Sequence, residues 1–151
     1  MDTADIDWSE GVPLTAGPFF MGLYQPSPET KAYWEGIKVR ELRLRHCPGC
    51  DRHWHPKRIV CTNCGSGELE WRRSSGTGEV YCYSEVHRTP AEVFAGSAPY
   101  IVGIVRLDEG VFLFSRLMCN AAAMTIGMRV QVDFMKLETG RVLPVFQPGD
   151  S

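Results

Sequence analysis

The chain has 151 residues and a formal net charge of −2, with 44% hydrophobic and 23% charged residues. That length holds one compact domain plus a small metal-stapled module and excludes a large enzyme fold. The N-terminal Met1-Asp2-Thr3-Ala4-Asp5-Ile6-Asp7 lacks the positive-then-apolar order of a signal peptide, and the longest apolar run, Ala98 to Val105, is far too short to span a bilayer. A cytoplasmic protein without membrane contact is therefore expected.

Residues 1–26 carry Pro13, Pro18 and Pro26 with Gly11, Gly17 and Gly22, which favours an extended arm over regular structure. Phe19, Phe20, Leu23 and Tyr24 make that arm greasy, suited either to covering the chain's own core edge or to docking on a partner. Ser27-Pro28-Glu29-Thr30 then reads as a helix start, with a capping serine, a first-turn proline and an acid at the positive end of the dipole. The helix is predicted to run to Gly36 or Val39, with Tyr33, Trp34 and Ile37 on one apolar stripe.

Glu41-Leu42-Arg43-Leu44-Arg45 alternates as a strand and leads into Cys47-Pro48-Gly49-Cys50, with Arg52 to His55 returning beside it. A second pair, Cys61-Thr62-Asn63-Cys64, follows ten residues later. Four thiolates at this spacing predict one tetrahedral zinc ion held by Cys47, Cys50, Cys61 and Cys64 as a folding staple. With four sulfurs bound, no position remains for a reactive water. Gly65 suits the turn that aims backbone amides at the sulfurs, and Arg45, Arg52, Lys57 and Arg58 are placed to offset thiolate charge. His46, His53 and His55 are read as packing or surface groups, because the coordination sphere is already full. Cys82 and Cys119 are left over, and burial is the usual state of such thiols.

Residues 31–73 hold ten Lys or Arg against five Asp or Glu, so this segment of helix and ribbon is +5 and the rest of the chain is −7. From Leu69 the pattern becomes short β runs, at Glu79–His87, Tyr100–Leu107, Val111–Leu117, Arg129–Met135 and Arg141–Phe146. Gly76-Thr77-Gly78, Asp108-Glu109-Gly110 and Glu138-Thr139-Gly140 separate them, and Ala121-Ala122-Ala123-Met124 forms a short insertion between the third and fourth runs. The expected fold is mainly β: an N-terminal helix and zinc ribbon followed by a five-stranded OB-fold barrel. The expected divisions are an arm over 1–26, the helix over 27–40, the ribbon over 41–73, the barrel over 74–147 and a tail over 148–151.

The ordered set of Tyr33-Trp34-Glu35-Gly36, Glu41-Leu42-Arg43-Leu44, the two cysteine knuckles, Gly76-Thr77-Gly78-Glu79-Val80-Tyr81, Val86-His87, Pro99-Tyr100, Leu107-Asp108-Glu109-Gly110, Ile126-Gly127-Met128-Arg129-Val130 and Leu143-Pro144-Val145-Phe146 resembles the DUF35 family. Members are acyl-CoA-associated OB-fold proteins with an N-terminal rubredoxin-like zinc ribbon, and the likeness covers about residues 27–147. It implies a non-catalytic subunit of a hetero-oligomer with a thiolase-like or lipid-transfer-type aldolase catalytic subunit. Pathways of that kind include steroid side-chain and aromatic-acid degradation, benzoylsuccinyl-CoA thiolysis among them. This chain departs from the pattern at Asp51, where such knuckles commonly carry glycine, and in the arm before Ser27.

No catalytic residue is assigned. The expected contribution is positioning of coenzyme A or an acyl-CoA shared with the partner, with Lys57, Arg58, His87 and Arg88 as candidates for its phosphates and the loop from Arg88 to Pro99 as a wall of the partner's tunnel. The competing expectation is a single-stranded nucleic-acid-binding ribbon and barrel, in which Tyr81, Tyr83, Phe112 and Phe114 stack bases. The overall acidity opposes that reading, and barrel aromatics are expected inside. A free-standing zinc hydrolase is disfavoured because it needs an open coordination position.

Overall fold

The structure, a computed structural model, describes residues 27–88, 98–136 and 142–149. The arm over 1–26 and most of the expected wall between Arg88 and Pro99 lie outside them. Among the described residues no helix is long and apolar enough to cross a membrane.

A 3₁₀ turn over Pro28–Thr30 opens directly into helix α1, Lys31–Lys38. Thr30 closes the first turn, its Oγ1 accepting from the Ser27 amide at 2.9 Å. Trp34 and Ile37 face inward, at 6% and 0% exposure. Gly36 stands where α1 turns back onto the next strand, since a Cβ there would lie 2.8 Å from the Glu41 carbonyl oxygen.

Three short strands form the ribbon: β1 (Arg43–Cys47), β2 (Arg52–Trp54) and β3 (Glu70–Arg73), in the order β2-β1-β3 and antiparallel throughout. The alternation seen in the sequence puts Leu42, Leu44 and His46 on one face, all buried. The opposite face carries Arg45 between its cross-strand partners Trp54 and Trp71, with the guanidinium 4.0 Å from the Trp71 ring centroid.

The barrel uses β4 (Thr77–Val86), β5 (Tyr100–Leu107), β6 (Phe112–Leu117), β7 (Arg129–Lys136) and β8 (Val142–Pro148). It closes in the order β4-β5-β6-β8-β7, with only the β6–β8 contact parallel. A 3₁₀ turn over Ala121–Ala123 occupies the expected insertion between the third and fourth barrel strands. On β5, Ile101, Gly103, Val105 and Leu107 point inward, and Leu113, Ser115 and Leu117 do so on β6. Gly103 is required where β4 bulges between Val80 and Cys82: a Cβ would collide with the Cys82 carbonyl oxygen and sit 2.8 Å from Leu117 Cδ1.

Helix, ribbon and barrel share one core. Trp34, Ile37, Leu42 and Leu44 belong to the same buried cluster as Val80, Val105, Leu117, Leu143 and Phe146. A polar clasp pins the strand ends beside it. Arg129 donates both guanidinium ends to Asp108 at 2.8 Å, and Thr77 Oγ1 donates to the same carboxylate at 2.6 Å. This joins the β5–β6 hairpin to the starts of β4 and β7, and Arg129 holds the Asp108 carboxyl down at about 2.

Candidate metal centre and flanking surfaces

Cys47 ends β1 and Cys50 follows a tight turn, while Cys61 and Cys64 come from the loop that joins β2 to β3. Their four sulfurs lie within 4.8 Å of one another. Cys47 and Cys64 are separated by 3.7 Å and Cys50 and Cys61 by 4.0 Å, which is too far for a disulfide. A tetrahedron of sulfurs about 2.3 Å from zinc has edges of about 3.8 Å, so donor set and spacing both fit one zinc ion. Closed coordination of this kind supplies folding energy and leaves no reactive ligand position.

The backbone prepares these sulfurs. Burial works against the Cys61 thiolate, but the amides of Cys64 and Asn63 point at its sulfur and bring the thiol down to about 6. Cys64 receives the Ser66 amide, yet its crowding against the other three sulfurs pushes it up to about 12. Four thiolates so close together need a shared cation, which is the role zinc fills. Asn63 Nδ2 adds a donor to Cys50 Sγ at 3.1 Å. Two of the basic residues expected to offset the thiolates are engaged elsewhere: Arg45 lies over Trp71, and Arg58 lies 5.3 Å from the Trp54 ring centroid.

Each knuckle ends on a left-handed residue, Asp51 with φ 52° and Gly65 with φ 79°. The departure from glycine at Asp51 has a reason. Its carboxylate meets Nε2 of His46 at 2.8 Å, while Glu70 on β3 meets Nδ1 of the same ring at 2.8 Å. His46 is 1% exposed, and both of its ring nitrogens are taken up by these carboxylates. Hydrogen bonding to His46 holds both carboxyls below their ordinary values. His46 is thus neither a metal ligand nor a surface group; it clamps the first knuckle to β3. The signal was its place on the Leu42–Leu44 face of β1.

Lys57 and Arg58 sit in the ribbon loop, where they border an open depression of about 340 Å³ with Ile59, Val60 and Thr62. His87 and Arg88 follow the end of β4 remote from the ribbon, and His87 pairs with Glu85 at 3.3 Å. The four candidates therefore belong to two modules.

Two expectations are corrected. Tyr81, Tyr83, Phe112 and Phe114 are not interior: they are 56%, 40%, 46% and 46% exposed. The interior is filled by the aliphatic partners that alternate with them, such as Val80 and Leu113. Cys82 is likewise exposed, and Cys119 is half-buried with its sulfur 3.5 Å from the Asn120 carbonyl. Among the described residues neither thiol is hydrogen-bonded to a histidine that could act as base.

Two family descriptions match the chain consecutively. Residues 34–70 match the ChsH2 rubredoxin-like zinc ribbon domain, and residues 71–135 match the ChsH2 C-terminal OB-fold domain. A DUF35 domain-containing scaffold protein of Methanothermobacter thermautotrophicus is 36% identical over 72% of this chain and 84% of its own length. A probable enoyl-CoA hydratase alpha subunit of Thermomonospora curvata is 36% identical over 78% of this chain, which spans only 37% of that longer protein. Among solved structures, one chain of an Ltp2-ChsH2(DUF35) aldolase superposes with a TM-score of 0.72 at 33% identity, over 80% of this chain and 94% of that one. Ribbon, barrel, cysteine set and these likenesses agree, and the chain belongs to the DUF35 family.

Proposed function

We propose that the chain is the non-catalytic, zinc-stapled accessory subunit of a hetero-oligomer whose catalytic subunit, a thiolase-type enzyme or thiolase-fold aldolase, acts on an acyl-CoA. The observation that carries this reading is the closed four-sulfur site, together with two remaining thiols that have no histidine base beside them among the described residues. A closed metal site, with no activated thiol among the described residues, suits a role in holding other groups in place. The relatives support the same direction, since one is named a scaffold, one a hydratase subunit and one belongs to an aldolase assembly. Aromatic-acid or steroid degradation, with benzoylsuccinyl-CoA thiolysis as one example, is the pathway class this reading favours.

Coenzyme A is the ligand we assign to the shared site. Lys57 and Arg58 are the better-placed contacts for its phosphates, because they border a depression with apolar neighbours Ile59 and Val60. His87 and Arg88 would serve a second contact on the barrel. The test is co-expression with a candidate thiolase-type or aldolase-type catalytic subunit from the same organism, followed by size-exclusion chromatography and metal analysis. The expected result is one complex carrying one zinc per copy of this chain, with Lys57→Ala and Arg58→Ala weakening its affinity for coenzyme A. A catalytic subunit that purifies alone, with full activity, contradicts the reading.

One observation favours single-stranded nucleic acid instead: Tyr81, Phe112 and Phe114 are turned outward, where bases could stack. Against it, Arg106, which faces Phe112 across β5–β6, is paired within the chain to Glu79, as Arg129 is to Asp108. Tight binding of a single-stranded oligonucleotide that falls steeply with salt would favour that alternative.

A further inference from the structure

The outer face of β4–β5–β6 carries a cluster of apolar side chains between Arg106, which faces Phe112 across the strands, and Arg116, which faces Val102. Phe112 and Phe114 stand in a row on β6, Ile104 and Val102 lie half-buried beside them on β5, and Tyr81 meets Phe112 edge-on with ring centroids 5.1 Å apart. At about 200 Å² per aromatic side chain, three rings of this exposure leave roughly 300 Å² in water. The aliphatic groups of β5 extend the patch further, into the range of about 300–600 Å² reached by the largest patch on a typical monomer, which is often functional.

This is the face on which OB barrels commonly take their ligands, so its chemistry identifies the occupant. The charges around it are engaged internally. Arg106 pairs with Glu79 across β4–β5 at 2.6 Å, Arg129 is held by Asp108, and the Arg116 guanidinium lies 4.9 Å from the Tyr100 ring centroid. A phosphate backbone would have to break these pairs, whereas an apolar protein surface leaves them intact. Area separates the two kinds of protein partner. Self-association through this patch would draw from each copy about half of the roughly 800 Å² that a standard interface takes. A larger surface reaching past the barrel rim supplies the rest.

We propose that the β4–β5–β6 face docks on an apolar surface of the catalytic subunit, with Phe112 and Phe114 as its anchors. The proposal rests on the accessory-subunit reading and adds to it the face that binds. Rings at the centre of such a contact carry most of its energy, while exposed apolar groups elsewhere carry little.

The test uses the full-length chain and the thiolase-type or aldolase-type catalytic subunit identified by co-purification with it. Phe112→Glu and Phe114→Glu should each weaken the complex at least 30-fold by biolayer interferometry, with zinc content and melting midpoint unchanged. Phe114→Leu should retain affinity within about fivefold, and Val39→Glu, at the end of α1, should bind as the unaltered chain does. Photo-crosslinking from p-benzoyl-phenylalanine at position 112 should label the catalytic subunit. Undiminished binding by both glutamate variants would overturn the proposal. So would a dimer of the chain alone that Phe114→Glu converts to monomer, since the occupant would then be a second copy. Failure of the unaltered chain to bind the subunit at all would instead sink the accessory-subunit reading itself.

Discussion

Replacing Ile37 by alanine should destabilise the ribbon and the barrel together. Ile37 is 0% exposed and belongs to the cluster that also contains Leu44 of the ribbon and Leu143 and Phe146 of the barrel. Truncating a fully buried isoleucine costs about 2–5 kcal/mol, as lost transfer energy plus the residual cavity. A domain of this size has roughly 5–15 kcal/mol in all, so about 3 kcal/mol is a large fraction of it. With a urea m-value of about 1.5 kcal/mol/M, the midpoint should fall by about 2 M. Two probes report mainly on different modules: three of the four tryptophans, Trp34, Trp54 and Trp71, lie in the helix and ribbon, whereas among the described residues five of the eight strands that dominate far-UV circular dichroism form the barrel. A shared core requires both signals to shift by the same amount in one transition. If the tryptophan signal moved while the dichroism midpoint stayed in place, the two modules would fold independently and the argument from one core would be wrong.

Other perturbations probe the metal centre and the barrel. Cys61→Ser should abolish zinc binding and leave the chain insoluble or unfolded by circular dichroism, because a structural zinc is worth about 10–16 kcal/mol in small domains; a soluble, metal-free variant with an unchanged melt would contradict the staple. His46→Ala should speed zinc transfer to a chelator by about tenfold or more, since it frees Asp51 and the first knuckle; an unchanged rate would remove His46 from that role. Gly103→Val should lower the melting midpoint sharply or prevent soluble expression, because β4 leaves no room for a Cβ; a melt like the parent's would contradict that contact. The Asp108 carboxyl is held near 2 in the fold against 3.8 ordinarily, so its contribution is complete above about pH 3.8 and lost as pH falls through 2. The melting deficit of Asp108→Asn should therefore hold from pH 8 to 4.5, and a deficit that faded within that window would place the carboxyl elsewhere.

The four cysteines, the helix and the five barrel strands were legible because each rests on local pattern: two-residue spacing, a serine-proline start, alternation between glycine turns. His46 was legible in principle, since period two carries it onto the face of Leu42 and Leu44, but its carboxylate partners come from a turn and from a strand 24 residues away. The outward aromatics were misread for a related reason. Alternation tells which residues share a face and not which face is inside, and here the smaller aliphatic set fills the barrel. Asp51 looked like a flaw in a knuckle until the fold supplied the imidazole that occupies it. Lys57 and Arg58 in the ribbon loop, and His87 and Arg88 after β4, were all candidates for coenzyme A phosphates, and composition does not record which module each belongs to.

The central claim, that this chain positions substrate chemistry performed by another protein, is tested most directly by acyl-CoA turnover measured for the purified chain, for its catalytic subunit and for the reconstituted complex. The account expects no turnover from the chain alone, weak or unstable activity from the catalytic subunit alone, and full activity on mixing, unaffected by Cys82→Ser or Cys119→Ser. Thioester cleavage by the isolated chain that disappears in either cysteine variant would contradict it.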